Sequence, residues 1–213
     1  MKKKKTPALI GLCGRSGSGK GTVASFFEEF GVPSIDTDKV WSDLTGPSRE
    51  EGKIGECLAA LSEIFGEETV LEDGSLNREL VRSAVFAEDG AGKRDLLNRT
   101  AHPFIIEETL RRAEELGGRG FRAVIVDAPL LFESGLDGRC DLVIATDAPD
   151  EVLIERIVSR DGIGAASAEA RIAAQPRPEE LPVDLLIDTD RPLSSIKKDV
   201  ERIAEIIKEK FER

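Results

Sequence analysis

Residues Gly14–Thr22 read GRSGSGKGT, and this stretch decides the fold. It follows a short apolar run, Ala8–Cys13 (ALIGLC), and leads into Val23–Phe30, which carries a helical apolar pattern. Strand, glycine-rich turn and helix in that order are the context a phosphate-binding P-loop requires. Gly14, Gly17 and Gly19 let the backbone curl where a Cβ would clash. The amides of Gly14, Arg15, Ser16, Gly17, Ser18, Gly19 and Lys20 can then form a nest for phosphate oxygens, and the helix adds its positive dipole end. Lys20 would lie along the β- and γ-phosphates as a point charge. The motif departs from its usual form after the lysine. A hydroxyl residue for Mg²⁺ is expected there, but Gly21 intervenes before Thr22, so Thr22 is the loop's candidate metal ligand. A plain Gly/Ser turn is the alternative, and it leaves the flanking strand and helix unexplained.

At 213 residues the chain suits one domain or a core with an insertion, and 40% hydrophobic residues suffice for a buried core. A net charge of −11 excludes general nucleic-acid affinity, which needs a basic face, so an anionic ligand must be caught by a local cluster of cations and amides. Cys13, Cys57 and Cys140 are widely spaced and odd in number, as in a reduced cytoplasmic protein. Lys2–Lys5 before the first apolar run faintly imitates a signal peptide, but that run is short and serves better as a strand. No stretch approaches a membrane span.

Further along, Val32–Ile35 reads as a second strand ending at Asp36-Thr37-Asp38. Arg49–Phe65 and Asn77–Phe86 have helical spacing, and Lys93–Leu116 is helical with an expected interruption at His102-Pro103. Ala123–Val126 and Leu142–Ala145 are β-branched or apolar runs typical of buried parallel strands. A helix is expected over Val152–Val158, then a mobile loop over Ser159–Ala170, which lacks large apolar residues. A short strand at Leu185–Ile187 precedes a closing helix that begins near Leu193. Alternating strands and helices imply an α/β fold, a parallel sheet with helices on both faces. Ligands in such sheets bind beyond the carboxyl ends of the strands, which gathers Gly14–Lys20, Asp36–Asp38 and Asp127–Glu133 on one rim. The helical stretch between the second and third strands, about 49–116, is too long for one crossover and is expected to include a substrate lobe.

Several residues are candidates for the chemistry. Asp36 and Asp38 follow the second strand, where a carboxylate could take the proton of an attacking hydroxyl or hold Mg²⁺ through water. A helix N-cap has the same signature. Asp127 ends the AVIVD strand, a place for a metal-associated carboxylate or for a turn-capping aspartate before Ala128-Pro129. His102 is the only histidine, so it cannot be half of a multi-histidine metal site. Arg156 and Arg160, four apart on a helix, can both face the phosphates or form a solvated face.

Taken together, these segments resemble dephospho-CoA kinases over nearly the whole chain. The likeness rests on IGLCGRSGSGK, VPSIDTD, SLNRELVRSAVF, LLNRTAHPFI, VIVDAPLLFESGL and the RIVSRDG…RIAAQ segment. It implies a P-loop kinase fold of one domain, 1–213, with a lid at about 159–178. It implies that ATP, with Mg²⁺, phosphorylates the ribose 3′-hydroxyl of a small-molecule acceptor, dephospho-CoA. Asp38 then matches the family's base, and Arg78 and His102 match the acceptor side. Pro129, Leu130, Leu131, Phe132 and Glu133 match the acceptor pocket wall, with Arg156 and Arg160 in the lid. Three departures stand out: Gly21 for a hydroxyl residue, Asn77 where the family often has Asp, and no cation in Gly162–Ala170, for which Arg171 or Arg177 could substitute. The segment Gln175–Asp184 is also shorter than usual.

The nearest rival is a P-loop kinase of another small acceptor, such as a nucleoside monophosphate. The GKGT ending favours it slightly, but the His-Pro and PLLFE segments do not. A GTP-binding switch would need an Asn-Lys-x-Asp segment, and the sequence has none.

Overall fold

The computed structural model describes residues 6–47, 53–87 and 90–211. The chain forms two compact units. One takes the chain up to Asp36 and again from Arg112 onward, and the other is Thr37–Arg111.

The first unit is built on a five-stranded parallel sheet. Its strands are β1 (Ala8–Gly14), β2 (Ser34–Asp36), β3 (Ala123–Asp127), β4 (Leu142–Asp147) and β5 (Leu185–Asp188), in the order β2-β3-β1-β4-β5. The central strand, β1, is buried along nearly its whole length because helices cover both faces, which is why its sequence is a continuous apolar run. Its register places Leu12 beside Asp127 of β3 and Gly14 beside Thr146 of β4, and Asp36 of β2 pairs with Asp127 in turn. All strands therefore end on one edge. The main core joins Ile10, Leu12, Ile125 and Ile144 to Val23 and Phe27 of α1 (Lys20–Glu29). Phe27 is fully buried, and truncating such a side chain to alanine costs about 3–5 kcal/mol. α1 stops in a Schellman arrangement: the Gly31 N–H donates to Glu28 O and the Val32 N–H to Phe27 O, both at 2.9 Å.

The second unit contains α2 (Thr37–Leu44), α3 (Lys53–Phe65), α4 (Arg78–Phe86) and the first part of α5 (Ala91–Gly118), which runs on into the first unit. Its own core consists of Cys57, Leu58, Leu61, Leu76, Val81 and Val85, flanked by Trp41, Phe65 and Phe104. In the first unit, α6 (Asp150–Asp161) and α7 (Ala165–Ala173) form a hairpin, and α8 (Leu193–Phe211) packs Ile196, Val200, Ala204 and Ile207 onto the sheet core.

The structure corrects three expectations and leaves part of a fourth outside the described residues. β2 starts at Ser34 rather than Val32, since Pro33 has no N–H to give a ladder and contributes only its carbonyl, to Ile125 N at 2.8 Å. The helix expected over Arg49–Phe65 is described from Lys53, and residues 49–52 lie outside the described residues. α5 is not interrupted at His102-Pro103. Pro103 sits inside it, between the buried Ala101 and the core-packed Phe104, so packing and the turns on either side outweigh one lost backbone bond. The expected loop Ser159–Ala170 is mostly helical. Alanine is the strongest helix former, and Ala168 and Ile172 supply enough apolar surface to pack on Leu153 and Ile157.

Candidate active site

The loop between β1 and α1 has the curl its glycines foretell. Gly17 and Gly19 take φ of 79° and 78°, the left-handed region. At Gly14 the limit is space, since a Cβ would lie 2.4 Å from Thr146 Oγ1. The buried hydroxyls of Ser18 and Thr146 share a hydrogen bond of 2.7 Å, which pins the loop to the end of β4. Lys20, the first residue of α1, forms an ion pair with Asp127 at the end of β3. Beneath the loop, burial pushes the Cys13 thiol up to about 11, with the nearby Lys20 charge opposing the shift.

Five arginines of the loop and the α6–α7 hairpin region are engaged by protein groups. Arg15 is 5% exposed; its Nε and Nη2 bond both oxygens of Asp147 at 3.0 and 2.9 Å, and its Nη1 bonds Asp150 at 2.8 Å. Burial alone would lower its pKa, but the hydrogen bonds to Asp147 and Asp150 prevail and raise it. Anything Arg15 offers a phosphate is thus its backbone. Arg156 is half-buried and donates to Gly17 O, Thr189 Oγ1 and Thr189 O at 3.2, 3.0 and 2.9 Å, tying the loop to the end of β5. Arg160 is exposed and grips Asp161 at 2.7 Å, and Arg171 meets the same carboxylate at 2.5 Å. Gln175 and Arg177, just past α7, return to the loop's neighbourhood: Gln175 Oε1 accepts from Ser16 N at 2.8 Å, and Arg177 pairs with Asp150 at 2.5 Å.

The turn after β3 carries Pro129–Glu133. Leu131 is fully buried against Gly11, where a Cβ would come within 2.8 Å of it, so it props the turn and has no surface for a ligand. Leu130 is 44% exposed and Glu133 is exposed. In the helical unit, Asp38 stands exposed in the first turn of α2. Arg78, the first residue of α4, donates to Ser42 Oγ and Thr45 Oγ1 at 3.3 and 3.2 Å. Asn77 caps that helix by accepting from Leu80 N at 3.1 Å, doing the work an aspartate would do there. His102 lies within α5, half-buried.

Residues 8–190 match the family model for dephospho-CoA kinase. The chain belongs to the dephospho-CoA kinase family. A dephospho-CoA kinase of Corynebacterium efficiens is 36% identical over 202 residues, covering 93% of this chain and 96% of the relative. Among solved structures, TT1252 from Thermus thermophilus superposes with a TM-score of 0.74 at 26% identity, covering 95% of this chain and 98% of that one. The dephospho-CoA kinase from Campylobacter jejuni gives 0.61 at 21% identity over 95% and 98%, a likeness of fold. The dephospho-CoA kinase family is one of ATP-dependent kinases, and the sheet and loop described above are its P-loop kinase fold.

Sequence reasoning missed the residues that hold the loop rather than touch a ligand. Thr146 and Thr189 lie just past the runs that read as strands, and Asp147 opens the stretch Asp147–Asp150 that reads as a helix start. Gln175 is visible only as the last letter of RIAAQ.

Proposed function

We propose that this chain transfers the γ-phosphoryl group of ATP to the ribose 3′-hydroxyl of dephospho-CoA. The observation that carries the reading is the family match over residues 8–190, which spans both the loop and the helical unit. In this reading the amides of Gly14–Thr22 that are not already bonded within the protein, and the N-terminus of α1, cradle the phosphates, and Lys20 neutralises charge on the transferring group. Asp38 accepts the proton of the 3′-hydroxyl as its oxygen bonds to the γ-phosphorus and the bond to the β–γ bridging oxygen breaks, releasing ADP. Arg78, His102, Pro129, Leu130, Phe132 and Glu133 receive the acceptor, with Leu131 supporting the turn from within. Arg156 and Arg160 complete the nucleotide side.

The donor set suits a cation that arrives with the nucleotide. Thr22 offers a hydroxyl and Asp127 a carboxylate, and among the described residues no group of three or more His, Cys, Asp or Glu is placed to hold a metal ion by itself. Mg²⁺ binds in this way, through one or two carboxylates, water and substrate phosphates, and would supply charge neutralisation on the phosphates. Among the described residues no helix is long and apolar enough to cross a membrane. The three cysteines are free thiols, as suits the cytoplasm.

An ADP-release assay with Mg-ATP tests the reading. Dephospho-CoA should turn over, with AMP, CMP and shikimate largely ignored, and Asp38→Asn should lower kcat with little change in ATP affinity. Turnover of AMP with none of dephospho-CoA would transfer the chain to the nucleoside monophosphate kinases.

A further inference from the structure

The stretch just past α7 meets the phosphate loop by two routes. Gln175 Oε1 accepts from the Ser16 backbone N–H at 2.8 Å. Arg177 Nη2 bonds Asp150 Oδ2 at 2.5 Å, and the other oxygen of Asp150 holds Arg15 at 2.8 Å. Both routes end on adjacent loop residues, Arg15 and Ser16, and both begin within three residues of chain. Pro176 lies between them and restricts the backbone there. The α6–α7 hairpin is thereby strapped to the outer shoulder of the loop.

An amide nest grips phosphate well when its N–H groups are aligned before the ligand arrives. Ser16 opens the segment that curls through Gly17 and Gly19, so holding its N–H fixes where the curl begins. We propose that Gln175 is a positioning residue for ATP: by holding the Ser16 amide it sets the phosphate loop in its binding shape and couples that shape to the α6–α7 hairpin. The proposal rests on the reading of the chain as an ATP-dependent kinase of dephospho-CoA. Gln175 is well placed for a clean test. It borders an open cavity of about 550 Å³ together with Arg15, Asp150, Ile172 and Arg177, so changing its side chain leaves no buried void.

Gln175→Met keeps the length of the side chain and removes the acceptor, whereas Gln175→Glu keeps an acceptor. ADP affinity is measured by calorimetry, KM for ATP and for dephospho-CoA by kinetics, and Ser16 amide exchange by NMR on nucleotide-free protein. Gln175→Met should weaken ADP binding and raise KM for ATP by about three- to tenfold, the scale of one net hydrogen bond. KM for dephospho-CoA should hold, and the Ser16 amide should exchange faster. Gln175→Glu should restore its protection. A lower kcat with unchanged KM for ATP and unchanged ADP affinity would reduce Gln175 to a structural contact. Tighter ADP binding in Gln175→Met would reverse the sign, showing that the side chain competes with phosphate for the amide. ADP binding needs no acceptor, so a failure of wild-type protein to phosphorylate dephospho-CoA would count against the acceptor and leave this test standing.

Discussion

Lys20 and Asp127, 107 residues apart in sequence, meet in an ion pair at the carboxyl edge of the sheet. β1 and β3 are neighbours in register, so the lysine that opens α1 and the aspartate that closes β3 emerge side by side. The pair links the loop's cation to the candidate metal carboxylate. Nucleotide phosphates would compete with Asp127 for the lysine.

Lys20→Met should therefore have two effects. Turnover should fall about 10²–10³-fold, the usual loss when one electrostatic contact to the transferring group is removed. The fold should also weaken, because Asp127 is 7% exposed and loses a cation beside it. Steady-state kinetics and thermal unfolding of the same preparation check both. Near-wild-type turnover would remove Lys20 from the reaction.

Arg15 gives a prediction about stability. Its guanidinium is almost wholly buried and is held by Asp147 from two nitrogens. Breaking a buried pair by removing one partner costs about 3–5 kcal/mol, and Arg15→Met should fall near the lower end because Asp150 is partly exposed. Arg15→Lys should recover only part, since a single ammonium cannot reproduce the fork that spans both carboxylates. Urea unfolding of the two variants measures the difference, and equal stabilities for Lys and Arg would reject the forked contact.

The inner strands were legible because they are buried on both faces and therefore read as unbroken apolar runs, from Ala8 to Cys13 and again at Ala123–Val126. The loop was legible because three glycines and a lysine at fixed spacing admit few backbone paths. Legibility failed where packing overrode local preference. Pro103 reads as a helix break yet lies inside α5, and Ser159–Ala170 reads as a loop because α7, which fills most of it, has an apolar stripe of only Ala168 and Ile172. It failed also for side chains whose partners are distant in sequence. Nothing local to Arg156 indicates that it will seek Thr189, and nothing local to Gln175 points to Ser16.

The α6–α7 hairpin yields a prediction on charge and pH. Hydrogen bonds from Arg160 and then Arg171 bring the Asp161 carboxyl down to about 2 from its ordinary 3.8. A depressed carboxyl pKa contributes stability that is present above the ordinary value and lost as pH falls through the lowered one. The hairpin's share of acid sensitivity should thus lie between about pH 4 and pH 2 and vanish in Asp161→Asn, whose small stability deficit should be constant above about pH 5. Because the group is exposed, the effect should be small and weaken with salt. In kinetics, Arg160→Ala should lower kcat and kcat/KM about equally, as for a contact made mainly in the transition state, and Arg171→Ala should cost much less. The reverse order would move the working charge to α7.

Gly21 provides the sharpest test of how this loop differs from the usual pattern. It lies in the first turn of α1, its φ is not positive, and a Cβ added there would meet nothing within 4 Å. Neither sterics nor backbone geometry therefore demands glycine. Gly21→Ser should fold normally and gain roughly 0.5 kcal/mol, because serine costs a helix less than glycine does. It would also return a hydroxyl to the position directly after Lys20, where a P-loop ordinarily offers one to Mg²⁺. If Thr22 and Asp127 are the only protein groups serving the metal, the added hydroxyl should lower the Mg²⁺ concentration needed for half-maximal turnover at fixed ATP. Thr22→Val in the wild-type background should raise it, and in the Gly21→Ser background should raise it less. Titrating Mg²⁺ against the four variants decides the matter. If Thr22→Val has no effect in either background, Thr22 is not a metal ligand, and Mg²⁺ reaches this site through nucleotide, water and Asp127.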